Sequence, residues 1–372
     1  MIMNQQSVLY KKVFGCLMGG IIGDAFGGPI EMMHANYIRE LHGGVVTELI
    51  SYRTRPDDFM QPGIPGAYAW SDKPGTYTDD SYFSLLNARC IIDKGGRINC
   101  DDLGEFWARE CDIDHGWRSL QASYWKLIMT MRPARTLGQG NIGDNSSAMC
   151  IGPIGIINAC DPYQASLDAY DVVSLMHDEH SREAAGIIAA AVAEAFKPDA
   201  TVDSIVEAAI NNIPGGQYSR MYKPMLLAVD LARRAKDYEE LTKLYYDQLI
   251  IEWRGRGRNE GDGRHALSCE AYESIPCAVG MFLNAGGDFV KTVVGSANFG
   301  RDCDTIACMA GYIAGAYNGI DGIPARWVDT CIEANPDPDP HEIAVGLTNG
   351  VLNERKKLLD RIEMINSLQD KI

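Results

Sequence analysis

The chain has 372 residues, 46% of them apolar and 23% charged, an ordinary globular make-up with ample length for a large buried core. A net charge of -16 repels phosphate backbones, so nucleic acid is not an expected partner, and an anionic substrate would need a local positive group such as a bound divalent cation. The 11 cysteines are scattered without a C-x-x-C pair, which leaves zinc-ribbon and thioredoxin readings unsupported and fits buried free thiols in a reducing cytoplasm.

Residues 8–22 read as a helix. Gly15, Gly19 and Gly23 recur at four-residue spacing, so one face admits another helix backbone at close range. "KKVFGCLMGGIIGDAFGG" has the outline of a signal peptide, but its glycines and the many cysteines argue against export. No stretch approaches the roughly 18 apolar residues of a bilayer span, and no membrane partner is expected. Glu31, after a Gly-Gly-Pro turn, is either a surface loop carboxylate or a mobile general base. Asp24 has the same ambiguity, with a helix C-terminal turn as its plainer role.

Residues 36–77 are rich in Gly, Pro, Tyr and Asp and read as a long irregular loop, with "VVTELI" (45–50) as a short strand candidate. "TDDSYFSLLNARCIID" (78–93) is a buried helix, and 101–130 holds two more. Residues 138–157 begin as a polar loop and turn helical near Ser147. Helices follow at 162–175, 181–197, 201–212, 222–235, 237–252, 266–284, 287–298, 305–318 and 341–365, the last started by the turn cluster "PDPDPHE". "RGRGRNEGDGR" (254–264) is a basic surface loop or a cationic rim for an anionic ligand. This pattern implies one large all-α domain, residues 1–372.

Two segments carry the chemistry. "YTDDS" places Thr78, Asp79 and Asp80 at a helix start, and "FGRDCDT" places Asp302, Asp304 and Thr305 at another. An N-cap needs one such residue, not three. Neighbouring carboxylates repel, more so when buried, unless a cation compensates. All six residues offer hard oxygen ligands, which suit Mg²⁺ or Mn²⁺, less readily Ca²⁺, and do not suit copper or zinc. Ordinary capping explains either motif alone, and spacing does not show that they meet. The loop Gly143–Ser147 offers backbone N–H groups at a helix entrance, as a phosphate site would. His177 and His180 of "HDEH" stand three apart at a helix start, open to metal binding, capping or base stacking.

The segments "GCLMGGIIGDAFGGPIE", "TYTDDS", "NSSAMCIGPIG", "SLMHDEHS" and "FGRDCDTIACMAGYIAGA" run in order from about residue 12 to 320. Together they resemble the ADP-ribosylglycohydrolase family, the fold of the dinitrogenase-reductase-activating glycohydrolase, and within it a poorly characterised bacterial branch. The resemblance implies an all-α orthogonal bundle with two Mg²⁺ ions in a central cleft. It implies Thr78, Asp79, Asp80, Asp302, Asp304 and Thr305 as metal ligands, Glu31 and Asp79 as catalytic carboxylates, and Asn145, Ser146, Ser147 and His177 on the substrate path. The expected function is Mg²⁺-dependent hydrolysis at the anomeric carbon of an O- or N-linked ADP-ribosyl group, on a small-molecule or protein substrate. The family's "GNGSAMR" is "DNSSAMC" here, with Ser146 for a glycine and Cys150 for an arginine. That departure motivates two alternatives: hydrolysis of another small riboside, and a non-catalytic relative that binds ADP-ribose.

Overall fold

Glycines at four-residue intervals decide the centre of the structure. In the computed structural model, which describes residues 7–56, 71–130, 132–250, 263–264, 266 and 268–369, helix α1 (Val8–Gly27) lies antiparallel on a later helix, Cys303–Asn318. A Cβ on Gly15 would come 2.6 Å from the Gly315 carbonyl oxygen, on Gly19 2.2 Å from that of Gly311, and on Gly23 2.0 Å from that of Ala307. Backbone therefore meets backbone, and the end of α1 is pinned to the start of its partner: a Cβ on Gly27 would lie 2.3 Å from the Asp304 nitrogen. Long segments of both helices are buried all round, so neither shows a polar face.

The other helices wrap this pair. In chain order they are α2 (Ala35–His42), α3 (Asp79–Lys94), α4 (Cys100–Glu110), α5 (Arg118–Thr130), α6 (Ser146–Met149), α7 (Gly152–Ile157), α8 (Pro162–Val172), α9 (Glu179–Ala195), α10 (Val202–Asn211), α11 (Tyr222–Arg234) and α12 (Tyr238–Leu244). Then come α13 (Ala271–Asn284), α14 (Phe289–Ala297), α15 (Cys303–Asn318, the partner of α1), α16 (Ala325–Ala334) and α17 (Pro340–Gln369). The described residues contain no strand, only an isolated bridge between His34 and Gly300, and the fold is all-α.

Several expectations are corrected. Residues 36–77 are not wholly irregular, because Ala35–His42 forms a helix capped by the His34 side chain and ended by Gly43 at φ 67°. The stretch 45–50 is no strand: the Asn298 side chain accepts from the Val46 N–H (2.9 Å) and donates to its carbonyl (2.7 Å), taking the place of a neighbouring strand. The helix expected at 266–284 starts at Ala271, and α16 was not anticipated. Residues 8–30 are long and apolar enough to cross a membrane by length and composition, contrary to expectation, but that apolar window is entirely buried in the fold. Most of the basic segment 254–264 lies outside the described residues.

Candidate metal and active site

Helix starts deliver the carboxylates. Thr78 caps α3 from an extended conformation, and Gly95 at φ 70° ends that helix. Asp79 and Asp80 thus fall in the first turn, where the helix dipole favours negative charge. Asp302 occupies the N-cap position of α15 yet makes no capping bond there. Its carboxylate is turned elsewhere: Oδ2 accepts from Asn145 Nδ2 at 2.6 Å. The capping explanation is therefore insufficient for Asp302.

Asp24 is the residue that sequence reasoning undervalued. It is fully buried in the last turn of α1 and accepts from the Thr78 N–H (2.9 Å), the Thr78 hydroxyl (2.8 Å) and the Ser81 N–H (2.9 Å). It caps α3 from another helix, which no local pattern reveals. Glu31 is placed by the turn beyond α1. Met32, at φ 67°, donates its N–H to the Arg301 carbonyl (2.7 Å), and Arg301, at φ 63°, donates to the Met33 carbonyl (2.8 Å). Two non-glycine residues in the left-handed region thus flank Glu31 and Asp302, a strain that persists because these backbone bonds hold it.

One cleft results. Glu31, Asp79, Asp80, Asn145, Ser146, Asp302, Asp304 and Thr305 line it, together with Trp117, Met149 and Cys269. Carboxylate oxygens of Glu31, Asp302 and Asp304 lie within 4.8 Å of one another. Three expected residues are set back. Thr78 spends its hydroxyl on Asp24, Ser147 donates to the Ser181 carbonyl (2.9 Å), and His177 is buried with Nε2 2.8 Å from Asp144 Oδ1. Asp144 also accepts from the Ser146 N–H (2.9 Å) and hydroxyl (2.6 Å), so that backbone donor of the expected phosphate loop is already engaged. Cys150 is fully buried and its thiol faces the Ser146 and Ser147 carbonyls.

The charge balance is lopsided. Asp24, Glu31, Asp79, Asp80, Asp302 and Asp304 are all buried. Arg55 Nη1 stands 3.9 Å from Glu31 Oε2, while Arg301 is committed to Glu273 at 2.5 Å. Burial, and then repulsion from Asp304, pushes the Asp24 carboxyl up to about 7. Burial and the same neighbour hold Glu31, Asp79 and Asp80 well above the usual range, and burial followed by Asp302 does so for Asp304. Asp302 rises only to about 6, because burial is offset by hydrogen bonds such as that from Asn145. The buried Asp80 Oδ1 finds no hydrogen-bond partner among the described residues. An all-oxygen donor set with crowded negative charge and an unsatisfied oxygen fits a hard divalent cation.

A pH dependence follows. Each raised carboxyl makes the folded state hold more protons than the unfolded one between its two pKa values. For Asp24 that window runs from 3.8 to about 7. The contribution to stability is full below the lower value and is lost as pH rises through the upper one. Metal-free protein is thus expected to gain more thermal stability from Mg²⁺ at about pH 7.5 than at about pH 5, where protons already relieve the repulsion. Calorimetric melting at the two pH values checks this, and equal shifts would mean that the ion binds elsewhere.

Comparison with known proteins bears on the family and the fold. The model of the ADP-ribosylglycohydrolase family matches residues 5–358. Human ADP-ribosylhydrolase ARH3 is 24% identical over 345 residues, spanning 85% of this chain and 88% of that protein. The uncharacterized protein YegU of Escherichia coli (strain K12) is 24% identical over 332 residues, 84% of this chain and 89% of its own. ARH3 of Danio rerio reaches 53% identity over 108 residues, 26% of either chain. A solved structure titled as an ADP-ribosylglycohydrolase-related protein complex shares the fold at a TM-score of 0.62 and 18% identity, covering 92% of this chain and 99% of that one. With the family model matched across nearly the whole chain, this protein belongs to the ADP-ribosylglycohydrolase family, enzymes that hydrolyse glycosidic bonds.

Proposed function

We propose that this protein is a Mg²⁺-dependent glycohydrolase that releases ADP-ribose from an O- or N-linked substrate. The observation that carries the reading is the set of five buried carboxylates that line one cleft, with the buried Asp24 behind them and too little cation among the described residues to balance them. Asp79, Asp80, Asp302, Asp304 and Thr305 would hold the metal, with Thr78 behind them and Glu31 close enough to Asp302 and Asp304 to join as a ligand. Mg²⁺ fits the oxygen donors best, with Mn²⁺ as a substitute. Bound ions would orient ribose hydroxyls and make a bound water more acidic.

The protein's own groups do the remaining work. Glu31 takes a proton from the attacking water, and Arg55 beside its Oε2 favours the charged form that this requires. Asp79, on the same cleft, is the second candidate for that step. Asn145 holds the Asp302 carboxylate in place while a second bond ties its amide to Ser274 (2.9 Å). Trp117 offers an aromatic wall to the substrate, and Ser146, whose hydroxyl proton is held by Asp144, an acceptor oxygen. The eleven free thiols support a reducing, cytoplasmic setting.

One observation favours a second reading, hydrolysis of another small riboside. The Ser146 N–H and hydroxyl are both bound to Asp144, which leaves the loop fewer donors for a pyrophosphate. A substrate panel separates the two. Mg²⁺-dependent release of ADP-ribose from O-linked serine or N-linked arginine peptides, or from ADP-ribose esters, is the expected result, abolished by a chelator. A flat response to every ADP-ribosyl compound with turnover of a simple nucleoside would establish the second reading instead.

A further inference from the structure

The final helix, α17, leaves the body of the protein. Ile343, Ala344 and Leu347 in its first turns are buried, but every residue from Arg355 to Leu368 is exposed. That exposed part spans about 20 Å of helix. Yet it carries Leu358, Leu359, Ile362 and Ile365 at 59%, 44%, 52% and 49% exposure. A helix meant to stand alone in water has no use for such a stripe.

The spacing of the stripe is that of a coiled-coil seam. Leu352, Leu359 and Ile362 fall at core positions of successive heptads, with the polar Arg355 and Asn366 at the core positions between and beyond them, and Leu358 and Ile365 adjoin the seam on one side. On the other side stand Lys356 and Glu363, seven residues apart and without an ion pair among the described residues. These features match when the helix faces itself in reverse. Leu359 then lies over the partner's Ile362, and Leu358 over the partner's Ile365. Lys356 meets the partner's Glu363, and Arg355 the partner's Asn366. A two-fold axis repeats each contact, so the interface is self-complementary. In a parallel pairing neither charge would face its opposite.

We propose that α17 pairs antiparallel with α17 of a second copy of this chain and makes the protein a homodimer. The apolar stripe supplies roughly 450 Å² from each chain, and its polar flanks bring the total to about 1,200 Å², the lower end of specific interfaces. This proposal is independent of the catalytic reading.

Sedimentation velocity on the full chain between about 1 and 100 µM tests it. A dimer is expected, with Ile362→Glu monomeric while its circular dichroism is unchanged. Lys356→Glu should weaken the dimer about tenfold or more, and Lys356→Glu combined with Glu363→Lys should restore it to within about threefold. A wild-type monomer at every concentration, or a dimer indifferent to Ile362→Glu, would overturn the proposal and leave the stripe to another partner. Failure of the double exchange to restore association would overturn the antiparallel arrangement.

Discussion

Replacing Asp302 by asparagine is expected to lower kcat/KM about a thousandfold, roughly 4 kcal/mol of transition-state stabilisation. The fold should survive. Asp302 makes no capping bond to α15, and the substitution removes one of the crowded charges. Metal-free Asp302→Asn should therefore melt at or above the wild-type temperature, while its Mg²⁺ affinity, read by calorimetric titration, falls. That combination distinguishes a metal ligand from a structural residue, whose loss would lower the melting temperature. If Mg²⁺ affinity and activity were both unchanged, the metal reading of this cleft would be wrong.

The second large effect concerns stability. Gly23→Ala is expected to cost about 3 kcal/mol or more, or to prevent folding, because the new Cβ would stand 2.0 Å from the Ala307 carbonyl oxygen. That neighbour is backbone and cannot turn aside. Gly286→Ala serves as the control, since its φ of 63° is strained for alanine but nothing lies within 4 Å of the new atom. The control should lose only about 1–2 kcal/mol. Urea unfolding of both variants reads the difference, and a Gly23→Ala loss no greater than the control's would mean that α1 and α15 do not touch at this point. Because this contact also sets where Glu31 meets Asp302 and Asp304, a folded Gly23→Ala protein should bind Mg²⁺ less tightly.

Much of the site was legible because it depends on short spacings. A threonine and two aspartates at a helix start exceed what capping needs, and that excess is visible in "TDDS" and "DCDT" alone. The glycine spacing in α1 likewise announced a backbone-to-backbone contact. Asp24 was illegible, since its partners Thr78 and Ser81 are distant in the chain. Asn298 was missed for the same reason: a side chain that replaces a strand neighbour leaves no periodic trace. Glycines and a few polar residues interrupt the apolar run of α1, which hides its membrane-scale length in sequence, and burial on all sides is a property of the packed structure.

The sequence by itself determined most of the helices, the all-α class and the two oxygen-rich helix starts, because capping, periodicity and glycine spacing act over a few residues. It also carried the family resemblance in five ordered segments. Only the tertiary structure decided that the two helix starts share one cleft and that Glu31 joins Asp302 and Asp304 there. Those facts depend on where α1 and α15 cross, and that crossing is set by contacts between residues almost three hundred positions apart. No local rule reaches that far, since the energy of such a contact exists only once both backbones are in place.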